Sequence, residues 1–77
     1  MPATPDAAAV GRAVQAIRAE KGISQIQLSE DTGLMQSWIS NVEHGRRNLA
    51  WSNVVRLAEG LGVSVSELAA RAEALAE

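Results

Sequence analysis

The chain contains no cysteine, no phenylalanine and no tyrosine. The first absence excludes disulfides, zinc fingers and every other thiolate metal site. The missing aromatics, and the lack of any sustained alternation of apolar and polar residues, remove the marks a strand would leave. No apolar run approaches the roughly 20 residues that a membrane helix needs. Met1-Pro2-Ala3-Thr4-Pro5-Asp6 lacks the basic-then-apolar layout of a secretory leader, so a cytoplasmic location with no membrane partner is expected. His44 is the single histidine, so no His pair or cluster exists. No nucleophile–base pair and no phosphate-cradling glycine loop is present either. An enzyme is therefore not expected: no catalytic residue, no metal and no cofactor.

What remains is a helix-forming composition. Hydrophobic residues make up 47% of 77 positions, enough for one small folded domain spanning residues 1–77. A domain of this size without staples gains burial by pairing with a second copy. The net charge is −2, which counts against a nucleic-acid partner. The sum hides a local pattern, however. Arg46 and Arg47 stand beside His44, and no acid lies between Glu43 and Glu59. The acids gather elsewhere, at Glu30 and Asp31 and at Glu59, Glu67, Glu73 and Glu77. A basic face on an acidic body is compatible with phosphate contact of strong salt dependence.

Five helices are expected. Thr4 with Pro5 in the first turn reads as the start of helix one, with Val10, Val14 and Ile17 on its apolar stripe and Gly22 as its stop. Ser24 caps a two-turn helix two that Gly33 ends. A tight connection, Gly33-Leu34-Met35, leads into helix three, Gln36 to His44, closed by Gly45. Trp51 to Leu61 carries Val54, Leu57, Ala58 and Leu61 at helical spacing and reads as helix four. Ser64-x-x-Glu67 is a capping box for helix five, about residues 65–76. The fold class is all-α, a compact five-helix bundle.

Two short helices joined by a glycine turn, over about residues 24–44, form a helix-turn-helix arrangement. Stepping 100° per residue along helix three puts Ile39 and Val42 on the core side with Glu43 at its edge. Ser37 and Asn41 fall opposite, flanked by Ser40 and His44, and Gln36 opens the helix. The outer side is short, mostly uncharged and rich in hydrogen-bonding groups. The major groove of DNA admits one such helix, and Asn, Gln and Ser suit base edges there.

The runs Ile17-Arg18-Ala19-Glu20-Lys21-Gly22-Ile23-Ser24-Gln25-Ile26-Gln27-Leu28 and Gly33-Leu34-Met35-Gln36-Ser37-Trp38-Ile39-Ser40-Asn41-Val42-Glu43-His44-Gly45 resemble the phage repressor and Cro-type family of helix-turn-helix proteins. Leu57 to Leu68 resembles the family's ending. The segment Ile39-Ser40 with Glu43-x-Gly45-x-Arg47-Asn48-Leu49 is similar to controller proteins of restriction-modification systems. The resemblance implies a lambda-repressor-like bundle that binds double-stranded DNA in a prokaryotic cell or phage, at the nucleoid. It implies that Gln36, Ser37, Ser40 and Asn41 read bases. It implies that Gln25, Trp38, Arg46, Arg47 and Asn48 contact the phosphate backbone. It also implies an Arg18–Glu43 salt bridge between helices one and three. Met35 departs from the pattern, because a polar cap is usual before helix three; its loss costs about 1 kcal/mol.

Helix five carries more apolar residues on one stripe than so small a core absorbs. A homodimer interface is therefore expected, from Val65, Ala69, Ala72 and Leu75 with Trp51, Asn53 and Val63. A chain of this length leaves no room for a ligand-sensing domain, so no small-molecule ligand is expected. The rival reading is an antitoxin or protein-binding adaptor that uses the same fold.

Overall fold

The structure, a computed structural model, describes residues 5–76. It contains five helices: α1 (Ala7–Glu20), α2 (Gln25–Thr32), α3 (Gln36–Glu43), α4 (Trp51–Leu61) and α5 (Val65–Leu75). No strand occurs among the described residues.

The start of α1 differs from expectation. Thr4 lies outside the described residues, and Pro5 precedes the helix instead of opening it. The cap is Asp6, whose carboxylate accepts from the Ala9 N–H at 2.9 Å. A negative group at this end also complements the helix dipole, an advantage Thr lacks. Ser24 caps α2 by accepting from the Gln27 N–H, and Ser64 with Glu67 forms the reciprocal capping box of α5. Two helices, α3 and α4, begin at Met35 and Ala50 with no side-chain cap at all.

The core is built from one stripe of each helix. Val14 and Ile17 of α1, Leu28 of α2, Ile39 and Val42 of α3, Leu57 and Leu61 of α4, and Leu68 of α5 are buried together. Burying each such side chain contributes about 1.5–3 kcal/mol. Helix α1 packs chiefly against α5 and α3, while α2 packs against α4 and α3. The α1–α3 approach is close because Gly11 has no side chain: a Cβ there would sit 2.0 Å from the Val42 carbonyl oxygen.

Between α2 and α3 the chain reverses at Gly33, whose φ of 74° places it in the left-handed region. Two hydroxyls brace the turn. Ser29 Oγ donates to the Leu34 carbonyl at 2.5 Å. Thr32 Oγ1 donates to the Leu28 carbonyl at 2.6 Å and accepts from the Leu34 N–H at 3.2 Å. The angle between α2 and α3 is thereby held by hydrogen bonds as well as by packing. At the far end, Arg12 Nη2 donates to the Leu75 carbonyl at 2.8 Å, so α1 satisfies the last turn of α5.

Candidate nucleic-acid interface

The frame of the site is a charged network on the inner side of α3. Arg18 on α1 donates to both carboxylate oxygens of Glu43, at 2.8 and 3.0 Å. The Glu43 side chain is only 2% exposed and that of Arg18 only 16%. The arginine also donates to the Ile23 carbonyl at 3.1 Å, which ties the α1–α2 connection into the same network. Its hydrogen bond to Glu43 raises the guanidinium pKa above its usual value, against the burial that lowers it. Removing one member of such a pair strands its partner, so lost function in an Arg18 or Glu43 variant would report unfolding.

Gln25 is the third member. Its Nε2 donates to Glu43 Oε1 at 2.9 Å, and the residue is half-buried. The family resemblance implies a phosphate contact for Gln25, whereas the structure gives its amide nitrogen to the network. One of the two N–H groups of that amide remains for an outside acceptor. Three elements therefore meet on one carboxylate, and α3 is fixed at both its core side and its α2 side.

The outer side of α3 carries the expected reading residues. Gln36 and Ser37 are exposed in the first turn, and Ser40 and Asn41 are half-buried further along. Trp38 is half-buried with its ring packed against the core cluster, so only part of it faces outward. His44 closes the helix, its Nδ1 lying 2.7 Å from the Ser40 carbonyl. That contact uses the carbonyl and leaves the Ser40 hydroxyl available.

The loop that follows brings Arg46, Arg47 and Asn48 to the surface, all three exposed. The Arg46 backbone N–H donates to the Asn41 carbonyl at 2.9 Å, which anchors the loop to the end of α3. The two helices on either side of this loop are the two without side-chain caps. Their first-turn N–H groups carry a partial positive charge with no side chain to neutralise it. The open N-terminus of α4 and the exposed Arg46 and Arg47 thus follow one another directly after an uncharged, hydrogen-bonding helix face. Among the described residues, no group of His, Asp and Glu is placed to hold a metal ion. Among the described residues, no helix is long and apolar enough to cross a membrane.

The residues expected at a subunit contact separate into two sets. Ala72 is 1% exposed and belongs to the core, so it is withdrawn from any interface. It shares the buried arc of α5 with Leu68, one turn earlier, and α1 covers that arc. Val63, Val65 and Leu75 are half-buried with part of each side chain against the core, Asn53 is half-buried, and Ala69 is exposed. Trp51 stands 68% exposed at the first position of α4. Val55, half-buried one turn later on the same side of α4, extends this apolar area. Its place four residues after Trp51 was the available signal for it.

The chain matches the model of a helix-turn-helix domain over residues 9–71. It is 36% identical over 59 residues to the immunity repressor protein of Bacillus phage phi105, which aligns with 77% of this chain. The alignment spans only 41% of that repressor's length. Among solved structures, the restriction-modification controller protein C.AhdI from Aeromonas hydrophila superposes with a TM-score of 0.77 at 34% identity. That match covers 80% of this chain and 94% of C.AhdI. The controller protein C.Esp1396I, solved as a tetramer with its natural 35 base-pair operator, superposes with a TM-score of 0.79 at 28% identity, covering 88% of this chain and 93% of the other.

Proposed function

The chain belongs to the helix-turn-helix domain family, and on that premise we propose that it is a sequence-specific regulator of transcription, a homodimer that binds double-stranded DNA at a two-fold symmetric operator. One observation carries the reading: α3 presents Gln36, Ser37, Ser40 and Asn41 on its outer side while the Arg18–Glu43–Gln25 network locks its inner side. An uncharged reading face suits base edges, where Asn and Gln pair with adenine through two hydrogen bonds and Ser suits several bases. Arg46, Arg47 and Asn48, with the open N-terminus of α4, supply the phosphate contacts that set register without specifying sequence. Trp38 and the free N–H of Gln25 lie at the margins of the same contact. The whole chain acts as one binding domain. The work is done by binding alone, in the cytoplasm, with no reaction, cofactor or small-molecule ligand.

Two copies are required for geometric reasons. A helix of eight residues spans about 12 Å and meets only a few base pairs. Two α3 helices on one face of the duplex read half-sites about 34 Å apart. Trp51, Asn53, Val63, Val65, Ala69 and Leu75 form the contact that joins the copies. Occupancy then follows protein concentration, which suits a controller acting on its own gene, as the structurally similar C.AhdI and C.Esp1396I are controller proteins.

The test is a binding titration on the DNA upstream of the protein's own gene, at two salt concentrations. Wild-type binding is expected to be tight and to weaken in the higher salt. Asn41→Ala should abolish the preference for that site. Arg47→Ala should weaken binding to all sequences alike and lower the log–log salt slope by about 1. No binding even at low salt would favour the rival reading, an antitoxin or adaptor that holds a protein partner.

A further inference from the structure

Met35 is a residue for which the fold has no use. It holds the N-cap position of α3 in an extended backbone, and its side chain makes no capping hydrogen bond. Where caps are made in this protein, an oxygen makes them, at Asp6, Ser24 and Ser64. Met35 does not serve the core either. It is 71% exposed, one of three large apolar side chains left in solvent among the described residues, with Ile26 and Trp51. Trp51 lies in the subunit contact proposed above, and Ile26 sits on α2. Met35 alone adjoins Gln36 and Ser37 at the N-terminal end of α3, the end that meets base edges when a recognition helix enters the groove.

We propose that Met35 is a specificity-determining residue that reads the C5-methyl group of a thymine in the major groove. This rests on the reading of α3 as the DNA-contacting helix. Thymine offers the groove one carbonyl acceptor and one methyl group. The amide of Gln36 and the hydroxyl of Ser37 can satisfy acceptors and donors, but neither covers a methyl. A thioether can. It is unbranched and polarizable, and three rotatable bonds let it settle onto an irregular apolar surface. Both surfaces leave water on contact, and nothing in the free protein has to be broken first. A Ser or Asp at this position would secure the helix end and leave the thymine methyl against a polar group. The sequence gives up the cap and gains an apolar contact in its place.

The experiment begins with duplexes selected from a randomised pool by the full chain, so that no operator need be known. Each thymine of the selected site is then replaced in turn by uracil, which deletes the methyl and nothing else. At one thymine per half-site, uracil is expected to weaken wild-type binding about fourfold, the worth of one buried methyl group. In Met35→Ser that difference should vanish at the same position. The variant restores a capping oxygen, so its thermal midpoint should rise while the discrimination is lost, which separates contact from fold. Equal binding of every uracil duplex by the wild type would overturn the assignment, and so would a uracil loss that persists in Met35→Ser. Failure of the pool to yield any preferred site would instead overturn the DNA-binding reading itself.

Discussion

Gly11 shows how much of this fold turns on a missing atom. In the middle of a helix, glycine is about 1 kcal/mol worse than alanine, so Gly11→Ala would ordinarily stabilise. Here the added Cβ would lie 2.0 Å from the Val42 carbonyl oxygen and 3.0 Å from its carbon. Both are backbone atoms, and no rotamer change relieves the contact. The substitution is expected to destabilise the protein by about 1–3 kcal/mol, the usual cost of overpacking. Urea denaturation checks this, and an unchanged or higher midpoint would show that α1 and α3 do not approach so closely. Other single residues follow the same logic of local chemistry. Asp6 displaces the expected Thr4–Pro5 start because a carboxylate caps and also meets the helix dipole. Gln25 turns inward because Glu43, with two oxygens and almost no exposure, needs more donors than Arg18 supplies.

Among the elements, α1 and α5 are joined at their surface as well as in the core. Arg71 on α5 donates to both carboxylate oxygens of Glu20 on α1, the longer bond being 3.0 Å. These hydrogen bonds, opposed by desolvation and helped to a lesser degree by charge attraction, hold the Glu20 carboxyl below its usual pKa. In the unfolded chain Glu20 titrates near its ordinary value, about 4.3. The pair's stabilisation is therefore present above that value and is lost as pH falls through the lower folded value. Both side chains are well exposed, so the effect is small and screened by salt. The gap in urea midpoint between wild type and Glu20→Gln should be present at pH 7 in low salt and close at pH 3 or in high salt. A gap that survives acid would assign it to something other than this ion pair. The elements themselves were legible because glycine and serine punctuate them: Ser24, Gly33, Gly62 and Ser64 mark ends that the backbone confirms. Helical spacing likewise puts Ile39 and Val42 inside, where they are buried, and Ser37 and Asn41 opposite, where Ser37 is exposed and Asn41 half-buried. What spacing cannot tell is which neighbour covers an apolar stripe. Ala72 and Ala69 lie on adjacent arcs of α5 with the same chemistry, yet α1 covers the first and leaves the second exposed. The Arg12 bond to Leu75 joins residues far apart in sequence and left no local mark.

For the whole molecule, the two tryptophans give separate reporters. Trp38 is half-buried on α3 and Trp51 is exposed on α4. In a Trp38→Phe variant, Trp51 becomes the only indole. Its emission should move to the blue with rising protein concentration, in step with the doubling of mass seen by sedimentation. Doubling without the shift would place the subunit contact away from Trp51, and no doubling would remove the homodimer. The arrangement of α1 has a further consequence. It packs against α3 on one side and α5 on the other, with Gly11 on the α3 backbone and Arg12 on the α5 terminus. Lifting α1 away removes the packing that keeps the eight-residue α3 helical, so that its amides can open and exchange with solvent deuterium, and lifting it requires release from α5. A second subunit seated on α5 makes that opening rarer by mass action. In the homodimer proposed above, α3 is therefore expected to exchange more slowly than in the single copy.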